Sequence, residues 1–232
     1  MKNIAIIPAK EHSSRIPKKN FKNFFGKPMI YWSINNAIKS KLFDKVIVLT
    51  DSKRIERIAK KYNAEVPFLR PKSLNRESVG IQDLIRFYIK NSIQKKKPNY
   101  ICCIFPTAPL IFPSDIIRGY KKIRNKKYQF VFSASNFSHT PLRSFTINEN
   151  KEKIDKMLFS KKNFFKSSKM FKKIYHDIGQ FYWASPSAWI KKQEIYNNNS
   201  AIVKIPHWRA QDIDYKDDWI KVEKIFKTLN KK

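Results

Sequence analysis

Two segments at opposite ends of the chain carry residue types that handle phosphate. After the apolar run Ile4-Ala5-Ile6-Ile7 the sequence continues Pro8-Ala9-Lys10-Glu11-His12-Ser13-Ser14-Arg15-Ile16-Pro17-Lys18-Lys19-Asn20. A basic loop at the end of a first strand can hold a triphosphate through backbone N–H groups and fixed cations. Lys10, Arg15 and Lys19 would bring the charge, and Ser13 a hydroxyl donor. It is not a Walker loop, because the glycine spacing and the Lys-Ser/Thr ending are both missing. Near the other terminus, Gln211-Asp212-Ile213-Asp214 sets two carboxylates two residues apart. In extended backbone such residues project to the same side. That pair can hold one Mg2+, which takes carboxylates together with substrate phosphates and water. Asp217 and Asp218 instead suit the first turn of a helix, where they complement its dipole. Taken singly, each segment also has a plainer reading, as a solvated basic turn and an acidic surface turn.

The elements that must position these segments follow from hydrophobic patterning. Residues 4–8 read as a buried parallel strand, and 45–50 as a second that ends at Asp51-Ser52, a cap for a helix over 55–62. Residues 100–105 form a third strand, stopped by Pro106 and Pro109, and 130–133 a fourth. Pro28 opens a helical pattern with Met29, Trp32 and Ile38 near one face. Leu84, Ile85, Tyr88 and Ile89 predict an amphipathic helix over 81–93, and Ser114 with Asp115 starts another. The alternation predicts an α/β fold, a doubly wound, mostly parallel sheet. Ligands of such sheets sit outside the carboxyl ends of the strands, so the loops after Pro8, Thr50 and Phe105 should line the site. Residues 138–173, rich in Lys, Phe, Asn and Ser, break the alternation and read as an excursion, a candidate dimerisation arm, within one domain spanning 1–232. Residues 179–184 and 201–205 look like further strands. Residues 216–229 close the chain as a helix with Trp219, Val222, Ile225 and Phe226 on one side.

Composition narrows the function classes. With 42% hydrophobic residues the chain is too apolar to be disordered. No apolar run approaches the roughly 18 residues that span a bilayer. The opening apolar stretch is too short for a signal peptide, and a charged segment replaces the cleavage site. A soluble, cytoplasmic protein is expected, without a membrane partner. Forty-nine Lys plus Arg against 18 Asp plus Glu give a formal charge of +31. Nucleic-acid binding would be one use of that charge. The lysines are scattered along the whole chain, however, without an arginine-rich tract or a nucleic-acid-binding motif, so no nucleic-acid partner is expected. A positive field would still speed the encounter with an anionic substrate. Cys102 and Cys103 are adjacent in an apolar stretch and read as small core residues.

Taken together, the segments carry a family resemblance. Ile4-Ala5-Ile6-Ile7-Pro8-Ala9-Lys10, then Ser13, then Arg15-Ile16-Pro17-Lys18-Lys19-Asn20 resembles the N-terminal signature of acylneuraminate cytidylyltransferases. So do Val46-Ile47-Val48-Leu49-Thr50-Asp51, Ala64-Glu65-Val66-Pro67-Phe68-Leu69-Arg70-Pro71 and Pro106-Thr107-Ala108-Pro109, in the same order. Tyr175-His176-Asp177-Ile178-Gly179-Gln180-Phe181-Tyr182-Trp183 is similar to the branch that makes CMP-pseudaminic acid, and Gln211-Asp212-Ile213-Asp214 completes the pattern. The resemblance covers nearly the whole chain and is least clear between about 140 and 172. It implies transfer of CMP from CTP to a nonulosonic acid, pseudaminic acid ahead of legionaminic or N-acetylneuraminic acid, by attack of the sugar's anomeric hydroxyl on the α-phosphorus with release of pyrophosphate. It implies Lys10, Ser13 and Lys19 on the triphosphate, Asn20 on the nucleotide, and Ala9, Arg15, Arg70, Gly80 and Thr107 around them. Lys10, Lys19 and Asp212 would be catalytic, Asp212 and Asp214 would bind Mg2+, and His176, Asp177 and Gln180 would face the sugar. A homodimer is implied as well.

The chain departs from the family at two places. The phosphate loop, usually Ala-Arg-Gly-Gly-Ser-Lys, is Ala9-Lys10-Glu11-His12-Ser13-Ser14. Lysine keeps the charge of arginine but not its bidentate fork. Losing both glycines matters if either position needs positive φ or close approach to phosphate, and Glu11 carries negative charge into the loop. After Arg70-Pro71, where the family has Asp and Thr or Ser near the nucleotide, the chain has Glu77, Val79 and Ile81 but retains Gly80 and Asp83. These changes imply an alternative in which the fold survives and turnover is impaired.

Overall fold

A computed structural model describes residues 3–76, 78–92 and 97–230; Glu77 and Ile93 lie outside the described residues. Strand β1 (Asn3–Pro8) is followed by a small antiparallel pair, β2 (Asn23–Phe24) and β3 (Lys27–Pro28), then α1 (Met29–Lys39), β4 (Lys45–Leu49) and α2 (Lys53–Lys61). Next come α3 (Ile81–Ser92), β5 (Tyr100–Ile104), α4 (Pro113–Ile123) and β6 (Phe130–Asn136). The excursion contains β7 (Phe145–Asn148) and β8 (Lys153–Met157). The chain ends with β9 (Tyr175–Ala184), α5 (Pro186–Ile190), β10 (Ser200–Lys204) and α6 (Lys216–Leu229).

Six strands form one sheet in the order β10-β6-β9-β5-β1-β4. β1 pairs in parallel with β4 and β5, β10 pairs in parallel with β6, and β9 runs antiparallel to both its neighbours. The predicted mostly parallel α/β sheet is thus present. Alternate side chains explain the layers, since successive strand residues face opposite sides. Ala5, Ile7, Val46, Val48, Cys102 and Ile104 pack under α1, α2 and α4. Ile4, Ile6, Ile47, Leu49, Ile101 and Cys103 pack under α3 and α5. Both cysteines are free and fully buried, as expected of core residues. A third apolar cluster joins Phe24 and Met29 to Ile213 and the inner face of α6, Trp219, Val222 and Phe226.

β9 runs further than the expected strand, from 175 rather than 179, because its first half is bulged. Between the pairs Phe132–Tyr182 and Ala134–Asp177 the register slips. Ser133 Oγ fills the gap by accepting the N–H groups of Gln180 and Phe181, each at 3.2 Å. Residues 138–173 add no strand to the main sheet. Their strands β7 and β8 form a separate antiparallel pair whose residues are nearly all exposed. No helix among the described residues is long and apolar enough to cross a membrane.

Candidate active site

β1 has β4 on one side and β5, formed later, on the other, so strand order reverses beside β1, where a crevice opens at the carboxyl ends. A cavity of about 240 Å3 lies there, lined by Lys10, Ser13, Arg15, Lys19, Asn20, Arg70 and Thr107. Seven of the anticipated nucleotide-binding residues therefore meet in one cleft. Ala9 lies behind it, fully buried, with its N–H on the Leu49 carbonyl at 2.9 Å. Gly80 precedes α3 between Val79 and Ile81, which both line the cleft while Gly80 does not.

The loop is braced across the sheet. Buried Asn20 donates from Nδ2 to the Lys10 carbonyl at 2.7 Å, tying the two ends of the loop together. Asp51, just beyond β4, accepts the Glu11 N–H at 3.0 Å and the Asn75 side-chain amide at 2.6 Å. Neither Glu11 nor His12 lies among the residues with positive φ, so the lost glycines impose no strain on this backbone. Both line a separate small pocket with Lys18, Phe21 and Arg54, and neither lines the main cleft. Positive φ falls instead at Lys18, which leads into the short 3-10 helix Lys19–Phe21.

Two polar atoms of the cleft residues have no partner. Arg70 is 6% exposed and its Nε is unpaired; the Asn75 carbonyl Oδ1 is unpaired as well. Burial lowers the pKa of the Arg70 guanidinium, with Asp51 pulling the other way. An unpaired buried donor and acceptor in one cleft are costly in an empty protein and suited to a polar ligand.

The acidic pair stands at the rim. Ile213 is fully buried in the third cluster, which fixes the residues on either side of it. Asp214 is held by Arg15 Nη2 at 2.8 Å and Lys19 Nζ at 3.3 Å, and Lys19 also donates to the Ile213 carbonyl. Asp212 makes no ion pair among the described residues and is exposed overall, and its carboxyl takes a hydrogen bond from the Ile213 backbone. Its carboxyl lies over the β9 bulge at Gly179, where a Cβ would come within 3.1 Å of Asp212 Oδ2. Desolvation, then the Asp214 charge, push the Asp212 carboxyl above the usual carboxylate range, against the pull of Lys19. No group of three or more acidic, His or Cys ligands occurs among the described residues. Two neighbouring carboxylates, one of them without an ion pair and raised in pKa, fit a hard cation that draws its other ligands from phosphate and water.

His176, Asp177 and Gln180 do not line the cleft. His176 packs on Phe137 at 4.4 Å, and its Nδ1 lies 2.9 Å from the Asp177 carbonyl. The Asp177 carboxylate accepts the Gly179 N–H at 3.1 Å and the hydroxyls of Tyr182 and Tyr196. Burial, then the hydrogen bond to Asp177, push the Tyr196 phenol up to about 12. Gln180 is buried, and its Nε2 donates to the Arg209 carbonyl at 3.2 Å.

A family model described as cytidylyltransferase matches residues 4–227. The chain belongs to the cytidylyltransferase family. It is 34% identical over 222 residues to a pseudaminic acid cytidylyltransferase of Campylobacter jejuni, covering 94% of this chain and 93% of that one. It is 28% identical over 227 residues to a CMP-N,N'-diacetyllegionaminic acid synthase of Legionella pneumophila, covering 97% and 96%. A solved CMP:2-keto-3-deoxy-manno-octonic acid synthetase in complex with CTP has the same fold, with a TM-score of 0.72 at 16% identity over 99% of this chain and 100% of that one. For this cytidylyltransferase, the residues that reasoning from sequence did not reach are contacts across long separations. Asp51 accepts from both Asn75 and the loop N–H of Glu11, and Arg209, just before the acidic segment, pairs with Asp115 on α4. In the sequence Asp51 stands out as part of a helix cap and as the end of the Val46–Asp51 block, without any sign of Asn75, and nothing links Arg209 to Asp115.

Proposed function

We propose that the protein transfers CMP from CTP to a nonulosonic acid, pseudaminic acid, and releases pyrophosphate. The likeness to the pseudaminic acid enzyme along 94% of the chain carries this reading. Lys10, Lys19 and Arg15 hold the triphosphate in the cleft, with the Ser13 hydroxyl as a further donor. Arg70, Asn75 and Thr107 meet the nucleoside, offering the unpaired Arg70 Nε and Asn75 Oδ1. Asp212 and Asp214 would hold Mg2+. When bound, the ion polarises the α-phosphate and lowers the pKa of the attacking hydroxyl. Lys10 and Lys19 stabilise the charge that develops on the departing pyrophosphate, and the remaining task is positioning. Asp214, paired at rest with Arg15 and Lys19, would be the second carboxylate available to an ion, and Arg15 and Lys19 would then be free to turn to phosphate.

His176 at the open end of β9 marks the sugar side, with Asp177 and Gln180 shaping the strand from within. The need for CTP, a nucleotide of the cell interior, supports a cytoplasmic setting for the reaction. The excursion of residues 138–173 is a dimerisation arm: Phe145, Ile147, Ile154, Leu158 and Phe165 are exposed along it. The deciding experiment is pyrophosphate release with CTP and Mg2+ and a panel of pseudaminic, legionaminic and N-acetylneuraminic acids. Release with pseudaminic acid well above the others is expected; a preference for another member would reassign the sugar. No release with any would refute transferase activity. The impaired-enzyme alternative draws on Val79 and Ile81, whose apolar side chains line the cleft in place of hydroxyls.

A further inference from the structure

The segment that carries Asp212 and Asp214 has no regular structure between the short 3-10 helix His207–Arg209 and α6. Something must hold it in place, and Arg209, three residues before Asp212, is built to do so. The residue is 5% exposed, and its guanidinium grips both oxygens of Asp115 on α4, Nη1 to Oδ2 at 2.6 Å and Nη2 to Oδ1 at 3.3 Å. Nη1 also donates to the Leu110 carbonyl at 2.9 Å, in the loop that follows Thr107. The guanidinium lies 4.0 Å from the centre of the Phe112 ring. The Arg209 carbonyl receives the amide of Gln180 from the β9 bulge at 3.2 Å. One residue therefore ties the acidic segment to α4, to the loop after β5 and to the strand beneath Asp212. Leu110 repeats the link, because its side chain packs in the cluster that buries Ile213.

We propose that Arg209, with Asp115 as its partner and Gln180 as a second tie, is the positioning residue for the Asp212–Asp214 pair. The inference rests on reading that pair as the cation site. Buried between Asp115 and Phe112, Arg209 touches neither cleft nor ligand; it sets where the two carboxylates stand relative to Thr107 on one side and Lys19 on the other. A planar fork that engages both carboxylate oxygens fixes direction as well as distance, which lysine does not.

The test uses Mn2+, which reports its own binding by electron paramagnetic resonance, titrated into the whole protein with and without CTP. Arg209→Lys is expected to weaken Mn2+ uptake in the presence of CTP by about tenfold, the low end of losses seen when groups behind metal ligands are changed. Binding of metal-free CTP should stay within about twofold of the unchanged protein. Gln180→Leu, which removes only the tie to the Arg209 carbonyl, is the milder probe and should lower Mn2+ uptake by a few-fold. Arg118→Ala takes a second arginine from Asp115, bonded at 2.6 Å, without touching residues 209–214, and should match the unchanged protein. Unaltered Mn2+ uptake in Arg209→Lys and Gln180→Leu would overturn the proposal. So would a loss of metal-free CTP binding as large as the loss of Mn2+, since that is general disruption. If the unchanged protein takes up no Mn2+ with CTP, the cation reading of the acidic pair fails first.

Discussion

At the scale of single residues, Lys19 and Asp212 bear opposite kinds of risk. Lys19 bridges the loop and the acidic segment, with its side chain 16% exposed and two oxygen partners. Lys19→Ala should lower kcat/KM at least about 10²-fold, as when one donor to developing charge is removed, read as pyrophosphate release. Asp212 is different, because its raised pKa means that the fold disfavours its charged form. The sign follows from linkage: a carboxyl with a folded pKa above its unfolded value destabilises the protein at pH values above both, and the penalty vanishes as pH falls below both. Asp212→Asn should therefore raise the melting temperature at neutral pH without metal, while cutting turnover about 10²-fold or more. In the unchanged protein, metal uptake should weaken as pH falls through the raised Asp212 value, at higher pH than an ordinary aspartate would show. Both residues were legible because their partners in the motif are near in sequence. Arg70 was legible only by resemblance, since a lone arginine before proline carries no signal of its own. The Asp51–Asn75 contact was not legible, as nothing local marks a hydrogen bond across that separation.

At the scale of elements, the strands of the first half were readable because each is a short apolar run buried on both faces, bounded by Pro, Asp or Ser. β9 was readable only in part. Its inner half, Phe181–Ala184, is uniformly buried, whereas Tyr175–Gly179 alternates poorly because the bulge breaks the period of two. Its antiparallel direction left no local trace at all. Gly179 is where this irregularity meets the site: its φ is +58° and a Cβ would press on Asp212. Gly179→Ala should cost about 1–2 kcal/mol of stability through the left-handed backbone, measured by urea unfolding. It should also raise the Mg2+ concentration needed for half-maximal rate, because the added methyl displaces the carboxyl.

At the scale of the whole molecule, the charge of +31 and the exposed excursion each predict a solution property. A CTP anion approaching a strongly positive protein is steered over distances of about a Debye length, roughly 10 Å at 0.1 M salt. Raising salt from about 0.05 to about 0.3 M should lower kcat/KM for CTP several-fold with little change in kcat. Sedimentation should give a dimer, and Ile154→Lys with Phe165→Lys, at side chains 59% and 89% exposed, should give monomers if residues 138–173 form the contact. Composition pointed to the charge and the pattern pointed to the excursion. Neither could say that the excursion folds as a β-hairpin apart from the main sheet, since that depends on what fails to cover it.

The placement of β9 also governs how the molecule can be assembled. β5 and β6 are made first, run the same way, and never bond to each other; a slot one strand wide, roughly 9–10 Å between them, waits for a strand made some forty residues later. Until residue 184 is available, the growing chain holds the part-sheet β5-β1-β4 with an open apolar edge at β5, and β6 without either of its partners, since β10 is made later still; open edges of this kind recruit other chains. Synthesis interrupted before that point should yield aggregate rather than a smaller folded unit. The strand that closes the slot also carries Gly179, the floor beneath Asp212, so the seam that joins β6 and β10 to the rest of the sheet is the one that passes under the acidic pair.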